Sequence, residues 1–143
     1  NAGNQYANGR GVEKNQTLAT KLYVKACDGD NAGGCYNAGI HYGNGEGVEK
    51  NQTLAANFYV KACNFGDAAG CFNAGVSHFS GQGVAKDQFR AAEFFVKGCR
   101  GGDAKSCANS GVIYKKGIGV AKDPRRSKEF FAKACSLGEK KVC

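Results

Sequence analysis

The chain has 143 residues, of which 42% are hydrophobic and eight are cysteine, with a net charge of +8. No apolar run approaches the roughly 18 residues of a membrane-spanning helix, so no membrane span is expected. An even number of cysteines at paired positions in a small chain is the composition of a disulfide framework made in an oxidising compartment, so a secreted or periplasmic location is expected. No signal peptide is visible, but a mature chain would have lost it.

The cysteines recur on a fixed interval. Cys27 and Cys35, Cys63 and Cys71, Cys99 and Cys107, and Cys135 and Cys143 are pairs eight residues apart, each 36 residues after the last. The same shift aligns Gly9, Gly45, Gly81 and Gly117, then Gly11, Gly47, Gly83 and Gly119, then Val12, Val48, Val84 and Val120. Lys14, Lys50, Lys86 and Lys122 agree, as do Lys25, Lys61, Lys97 and Lys133. Self-similarity at about 20 to 50 residues signals a stacked array. The chain therefore reads as a single array over residues 1–143, with periods 1–36, 37–72, 73–108 and 109–143 that are out of phase with the helices. It starts at the position equivalent to Asn37 and stops on a cysteine, which suggests a part of a longer protein or a trimmed product.

In the first unit, Gly29, Asp30 and Asn31 form a turn in which the glycine is shifted from its later position, so this turn is expected to differ. A helix over 32–44, rich in small residues, follows and ends at Gly45, as its counterparts end at Gly81 and Gly117. Glycine inside a helix costs about 1 kcal/mol against alanine, so a repeated one marks a neighbouring backbone too close for a side chain. Gly3, Gly39, Gly75 and Gly111 are assigned to such helix contacts. Asn51 then suits an N-cap, as do Asp87 and Asp123 at the matching positions. The helix after it, 52–64, places Leu54, Phe58 and Ala62 in one stripe, with Ala55, Tyr59 and Cys63 beside them. Gly66, Gly102 and Gly138 provide left-handed stops, and Asp67, Asp103 and Glu139 open the next helix, here 68–80. Pro124 directly after Asp123 marks the last helix start, because proline lacks only an N–H that the first helical position would leave unbonded. The fold class is all-α, with two helices per unit.

The first cysteine of each pair falls in the last turn of one helix and the second in the first turn of the next. Across an antiparallel turn this separation brings the two alpha carbons within disulfide reach. Each bridge is worth roughly 2 to 3 kcal/mol by chain entropy, which a thin array needs. A zinc site would bring ligands two to four residues apart within each half; the chain has no CxxC and only two histidines. No metal or other cofactor is expected.

The run Asn37-Ala38-Gly39-x-x-Tyr42-x-x-Gly45-x-Gly47-Val48-x-Lys50, continuing to Lys61-Ala62-Cys63 and Gly70-Cys71, resembles the Sel1-like repeat. With its paired cysteines it is similar to the Helicobacter cysteine-rich protein family, and the match covers the whole chain. The resemblance implies a right-handed α-α superhelix, a tetratricopeptide-like solenoid of about four helix pairs, in secreted or periplasmic bacterial proteins. It also implies penicillin binding with weak beta-lactamase activity, and contact with host immune cells.

The residues themselves carry no catalytic signature. Serine beta-lactamases need Ser-x-x-Lys on a helix, and none of the serines at 77, 80, 106, 110, 127 or 136 has a lysine three residues on. His41 and His78 are isolated, with no HExxH motif. The glycines of GxGV read as a helix-hairpin turn. Acid–base work through Glu46, Glu49 or Glu93 is conceivable, although scattered glutamates on helical repeats are usually solvated. No catalytic residue is assigned.

Binding has the better footing. Asn1, Asn37, Asn73 and Asn109 recur on the small-residue helix, although asparagine is a poor helix former whose amide must be satisfied. A ladder of amides at one repeat interval can hydrogen-bond the backbone of an extended peptide. Tetratricopeptide arrays, to which the resemblance points, use asparagines in that way; internal capping between repeats is the competing reading. One turn on, the units differ as Gln5, His41, Ser77 and Ile113, and a turn further as Asn8, Asn44, Ser80 and Lys116. The ligand-binding residues are therefore read as Asn1, Asn37, Asn73, Asn109, His41, Ser77 and Asn44. Tyr6, Tyr42, His78 and Tyr114 align and are read as packing. Nine basic and three acidic residues give the last period, 109–143, +6 of the total charge. Such a patch attracts acidic partners or the carboxylates of cell-wall peptides; no nucleic-acid motif accompanies it. The expected protein is a monomeric scaffold binding a peptide or protein, host proteins included, or cell-wall fragments in a concave groove. The alternative is a weak penicillin-binding hydrolase acting on beta-lactams.

Overall fold

The computed structural model describes residues 15–143. Seven α-helices of 13 residues each follow one another: α1 Gln16–Asp28, α2 Ala32–Asn44, α3 Gln52–Asn64, α4 Ala68–Ser80, α5 Gln88–Arg100, α6 Ala104–Lys116 and α7 Pro124–Ser136. A 3-10 turn, Lys140–Val142, closes the chain, and no strand occurs among the described residues. The helices expected over 32–44, 52–64 and 68–80 stand within those limits.

Both helix classes start on side-chain caps. Asn15, Asn51, Asp87 and Asp123 accept the backbone N–H of Leu18, Leu54, Arg90 and Arg126 ahead of α1, α3, α5 and α7. Asn31, Asp67 and Asp103 accept from Gly34, Gly70 and Ser106 ahead of α2, α4 and α6. Each satisfies a donor that the helix cannot. Glu139 makes no such bond, and only the 3-10 turn follows it.

The turn after α1 keeps the form of the later ones. Asp30 N–H donates to Cys27 O as Gly66 donates to Cys63 O and Gly102 to Cys99 O. Asp30 stands at φ +66° where the equivalent residues are Gly66, Gly102 and Gly138. The expected difference is therefore chemical: an aspartate holds a left-handed position that glycine occupies elsewhere.

Each helix packs on its two sequence neighbours and only lightly on the next but one, which makes the array a thin, two-layered solenoid. The core is correspondingly divided into small clusters, and the cystines belong to it: Cys27 and Cys35 pack with Ala62, and Cys99 and Cys107 with Ala134. Bridges join α1 to α2, α3 to α4 and α5 to α6 with alpha carbons 4.4 Å apart, and α7 to Cys143 at 5.0 Å. No described cysteine is free.

Two expectations about packing change. The buried face of α3 is Ala55, Ala56, Ala62 and Cys63, while Leu54 of the expected stripe is 38% exposed. The mid-helix glycines do mark close contacts, but with rings and not with backbone. A β-carbon on Gly39, Gly75 or Gly111 would stand 2.6, 2.7 and 2.6 Å from ring carbons of Tyr59, Phe95 and Phe131. Gly3 lies outside the described residues. Tyr6 lies outside the described residues, and the rest of the aromatic column behaves as packing: Tyr42 stacks on Phe58 and Tyr114 on Phe130 at 5.5 Å, and His78 lies 5.1 Å from Phe94.

Candidate functional site

Asn37, Asn73 and Asn109 occupy the same position of α2, α4 and α6, and all three are half-buried. Asn1 lies outside the described residues. Asn73 borders two cavities. One, of about 210 Å³, also presents Asn44, Gln52, Tyr59, Ser77 and Gln82, so the structure brings Asn44, Asn73 and Ser77 together. The other, of about 460 Å³, is lined on either side by Tyr36, Phe72 and Lys105. Asn109 opens onto a third cavity of about 210 Å³ between α4 and α6. One turn beyond the asparagines, Val76 and Val112 are 36% and 37% exposed on the same face.

The amides differ in what holds them. The Tyr59 hydroxyl of α3 is hydrogen bonded to the Asn73 side chain. Burial, with Tyr36 beside it, pushes the Tyr59 hydroxyl above its usual pKa, so it stays neutral there. The equivalent residue on α5 is Phe95, which has no hydroxyl to offer Asn109.

His41, one turn beyond Asn37, is buried at 6% exposure like its repeat equivalent Ser77. Its Nδ1 lies 2.7 Å from Thr20 Oγ1, which is also 2.8 Å from Gln16 O and 2.9 Å from Glu46 O. Thr20 Oγ1 thus sits among two carbonyl oxygens and one ring nitrogen, and the other ring nitrogen, Nε2, faces Glu46 Oε2 at 3.5 Å. The ring meets Tyr23 edge-on at 5.1 Å. Burial pushes the His41 pKa below its usual value, and the Glu46 carboxylate opposes that shift. A hydroxyl, an imidazole and a carboxylate in a row are the parts of a hydrolytic relay, but Thr20 is 1% exposed and its oxygen is fully engaged. The group is a packed polar joint between α1 and α2, and Gln16, Tyr23, His41 and Glu46 stand at the repeat positions that Gln52, Tyr59, Ser77 and Gln82 hold beside Asn73. Reading Thr20 and Glu46 at the repeat interval reveals it, because their counterparts are Ala56 and Gln82, then Ala92 and Ile118.

The Sel1 repeat family model matches residues 1–31, 32–67, 68–103 and 104–139. The chain belongs to the Sel1 repeat family. Among solved structures, a Sel1 repeat protein from Oxalobacter formigenes is 30% identical with a TM-score of 0.92, covering 99% of this chain and 58% of that one. A protective antigen present in uropathogenic Escherichia coli strains, with an SLR fold, is 28% identical at a TM-score of 0.92, covering 98% of this chain and 30% of that one. Helicobacter pylori cysteine rich protein B is 29% identical at a TM-score of 0.71, with 94% and 97% covered. The chain thus spans little more than half of the first of these proteins and under a third of the second. A comparison with curated proteins gives no match.

In this Sel1 array the matched units begin at the small-residue helix, so that residues 32–67 hold α2 and α3. The bridges Cys27–Cys35, Cys63–Cys71 and Cys99–Cys107 therefore each cross from one Sel1 repeat to the next. They also require an oxidising environment to form. Among the described residues no helix is long and apolar enough to cross a membrane, and no group of three or more His, Cys, Asp or Glu could hold a metal. Of the basic C-terminal residues, Arg126 stacks 4.6 Å from the Tyr114 ring centre and Arg125 lies 3.7 Å from Glu129, while Lys105, Lys115 and Lys116 on α6 are exposed. Sequence reasoning missed Tyr59, Val76, Phe79, Phe95 and Ile118 as cavity-lining residues.

Proposed function

We propose that this Sel1 array is a secreted or periplasmic scaffold that binds an extended peptide along the face formed by α2, α4 and α6. The observation that carries the reading is the position of Asn73 and Asn109: one amide borders two neighbouring cavities and the other opens onto the next. An amide donates and accepts, so a row of them matches a regular peptide backbone, and the cavities between them take side chains. The residues that vary around the amides, Ser77 and Asn44 in one cavity against Ile113 and Ser80 in the next, supply selection. Four disulfides support an extracytoplasmic location, since such bridges persist where thiols are not kept reduced. His41 stands at the repeat position of Ser77 and Ile113, held there by Thr20 and Glu46, and is the variable residue of its own unit.

The test is capture of partner proteins by the oxidised, immobilised chain, compared with the double variant Asn73→Ala/Asn109→Ala. Partners held by the parent and released by the variant, with both proteins melting at the same temperature, support the groove. Equal capture by both moves binding to another surface and defeats the proposal.

A further inference from the structure

Resting on that reading, we infer that the cavity between α4 and α6 is a pocket for one large aliphatic or aromatic side chain of an acidic peptide segment. Its walls are Val76, Phe79, Phe95, Val112, Ile113 and Ile118, with only the Asn109 amide and the Ser80 hydroxyl as polar groups. At about 210 Å³ it holds far more than one water yet falls below the roughly 300 to 1,000 Å³ of sites that enclose a whole small ligand. The scale is that of a side chain.

The equivalent cavity one repeat earlier has the opposite character. Gly43, Tyr59, Ser77 and Gln82 there are replaced here by Phe79, Phe95, Ile113 and Ile118. Four coordinated changes from small or polar to large and apolar turn a polar recess into a greasy one, while the asparagine at its edge is kept. Neighbouring ligand positions are thus read differently, a polar residue by the earlier cavity and an apolar one by the later.

Charge supplies the remaining chemistry. Lys105 lies four residues before Asn109 and Lys116 seven after it, which puts all three on one face of α6 with Val112 and Ile113. Both lysines are exposed, neither is ion-paired among the described residues, and no carboxylate lines the cavity. Carboxylates on either side of the inserted residue meet these cations, whereas a basic segment is repelled.

The experiment is panning of a random nonapeptide display library on the oxidised chain, on Val112→Trp, and on Asn73→Ala/Asn109→Ala. Val112 is 37% exposed at the cavity edge, so tryptophan there fills the pocket from outside the core. The expected pool carries one Leu, Ile, Phe or Val between aspartates or glutamates, and alanine at that residue weakens binding about tenfold to a hundredfold on the parent chain. On Val112→Trp the same alanine replacement should change binding less than about twofold. A pool with no fixed apolar position, one flanked by lysine or arginine, or one that Val112→Trp selects equally, overturns the pocket and leaves the groove standing if the asparagine variant selects nothing. No enrichment by the parent over the asparagine variant overturns both. The alanine comparison on the unmutated protein decides the matter even if Val112→Trp misfolds.

Discussion

Gly39 lies directly beneath the ring of Tyr59, so close that a β-carbon on it would stand 2.6 Å from the ring edge. Gly75 under Phe95 and Gly111 under Phe131 repeat the contact, which sets how near each small-residue helix comes to the helix after it. Alanine at Gly75 gains about 1 kcal/mol of helix propensity but overpacks a ring that is 3% exposed, at the upper end, about 2 to 3 kcal/mol, of what overpacking costs. We expect Gly75→Ala to destabilise by about 1 to 2 kcal/mol in urea unfolding, against the propensity rule. An unchanged or raised midpoint would show that the ring swings aside.

Asp30 and Gly66 hold equivalent turn positions at φ +66° and +96°. Left-handed backbone is costly for an L-residue, less so for aspartate, and glycine adopts it freely. Asp30→Gly should therefore stabilise by about 0.5 kcal/mol after allowing for the greater freedom of the unfolded chain. Gly66→Ala should cost about 1 kcal/mol although nothing lies within 4 Å of an added β-carbon, because the penalty is conformational. Thermal melts of both variants check the pair, and equal shifts in one direction would contradict the account.

The bridge Cys63–Cys71 closes an eight-residue separation between α3 and α4. Chain entropy values such a loop at about 2.5 kcal/mol, so Cys63→Ala/Cys71→Ala should lose roughly that amount. Because successive units touch only their neighbours, the loss should appear as lower cooperativity of unfolding as well as a lower midpoint. A sharp transition at an unchanged midpoint would mean that helix packing alone holds the units together.

His41 has a folded pKa below its unfolded value of about 6.5, chiefly through burial. The unfolded chain then binds the proton more readily, so stability is complete above about pH 6.5 and is lost as pH falls through that value toward the folded pKa. Melting temperature should decline as pH falls from about 7 through about 6.5, with Glu46 limiting the decline by favouring the charged ring. Thr20→Ala/His41→Ser, which installs the Ala56 and Ser77 of the next unit, should flatten the profile in that window. A parallel profile in the variant would move the titration to another group.

The helices were legible from residue order because caps, stops and the repeat interval all act locally. Asn51, Asp123 before Pro124, and Gly45 each satisfy a backbone group within a few positions of themselves. The cystines were legible for the same reason, since an eight-residue span across a tight turn leaves little choice of partner. What was hidden depends on contacts between turns of different helices. Gly39 announced a close neighbour, but only the structure identifies it as the Tyr59 ring, and His41 gave no sign of Thr20, 21 residues before it. The cavities are another case, because each draws its walls from at least two elements whose residues are unremarkable alone.

The central claim is that ligands lie along the asparagine face. It is tested most directly by following the backbone and side-chain amide resonances of isotope-labelled, oxidised protein during titration with a peptide selected by panning. The account predicts that Asn73 and Asn109 side-chain signals shift together with Val76 and Val112, and that signals from the exposed Phe89 on α5 stay in place. Movement of Phe89 and its neighbours with the asparagine amides unchanged would contradict it.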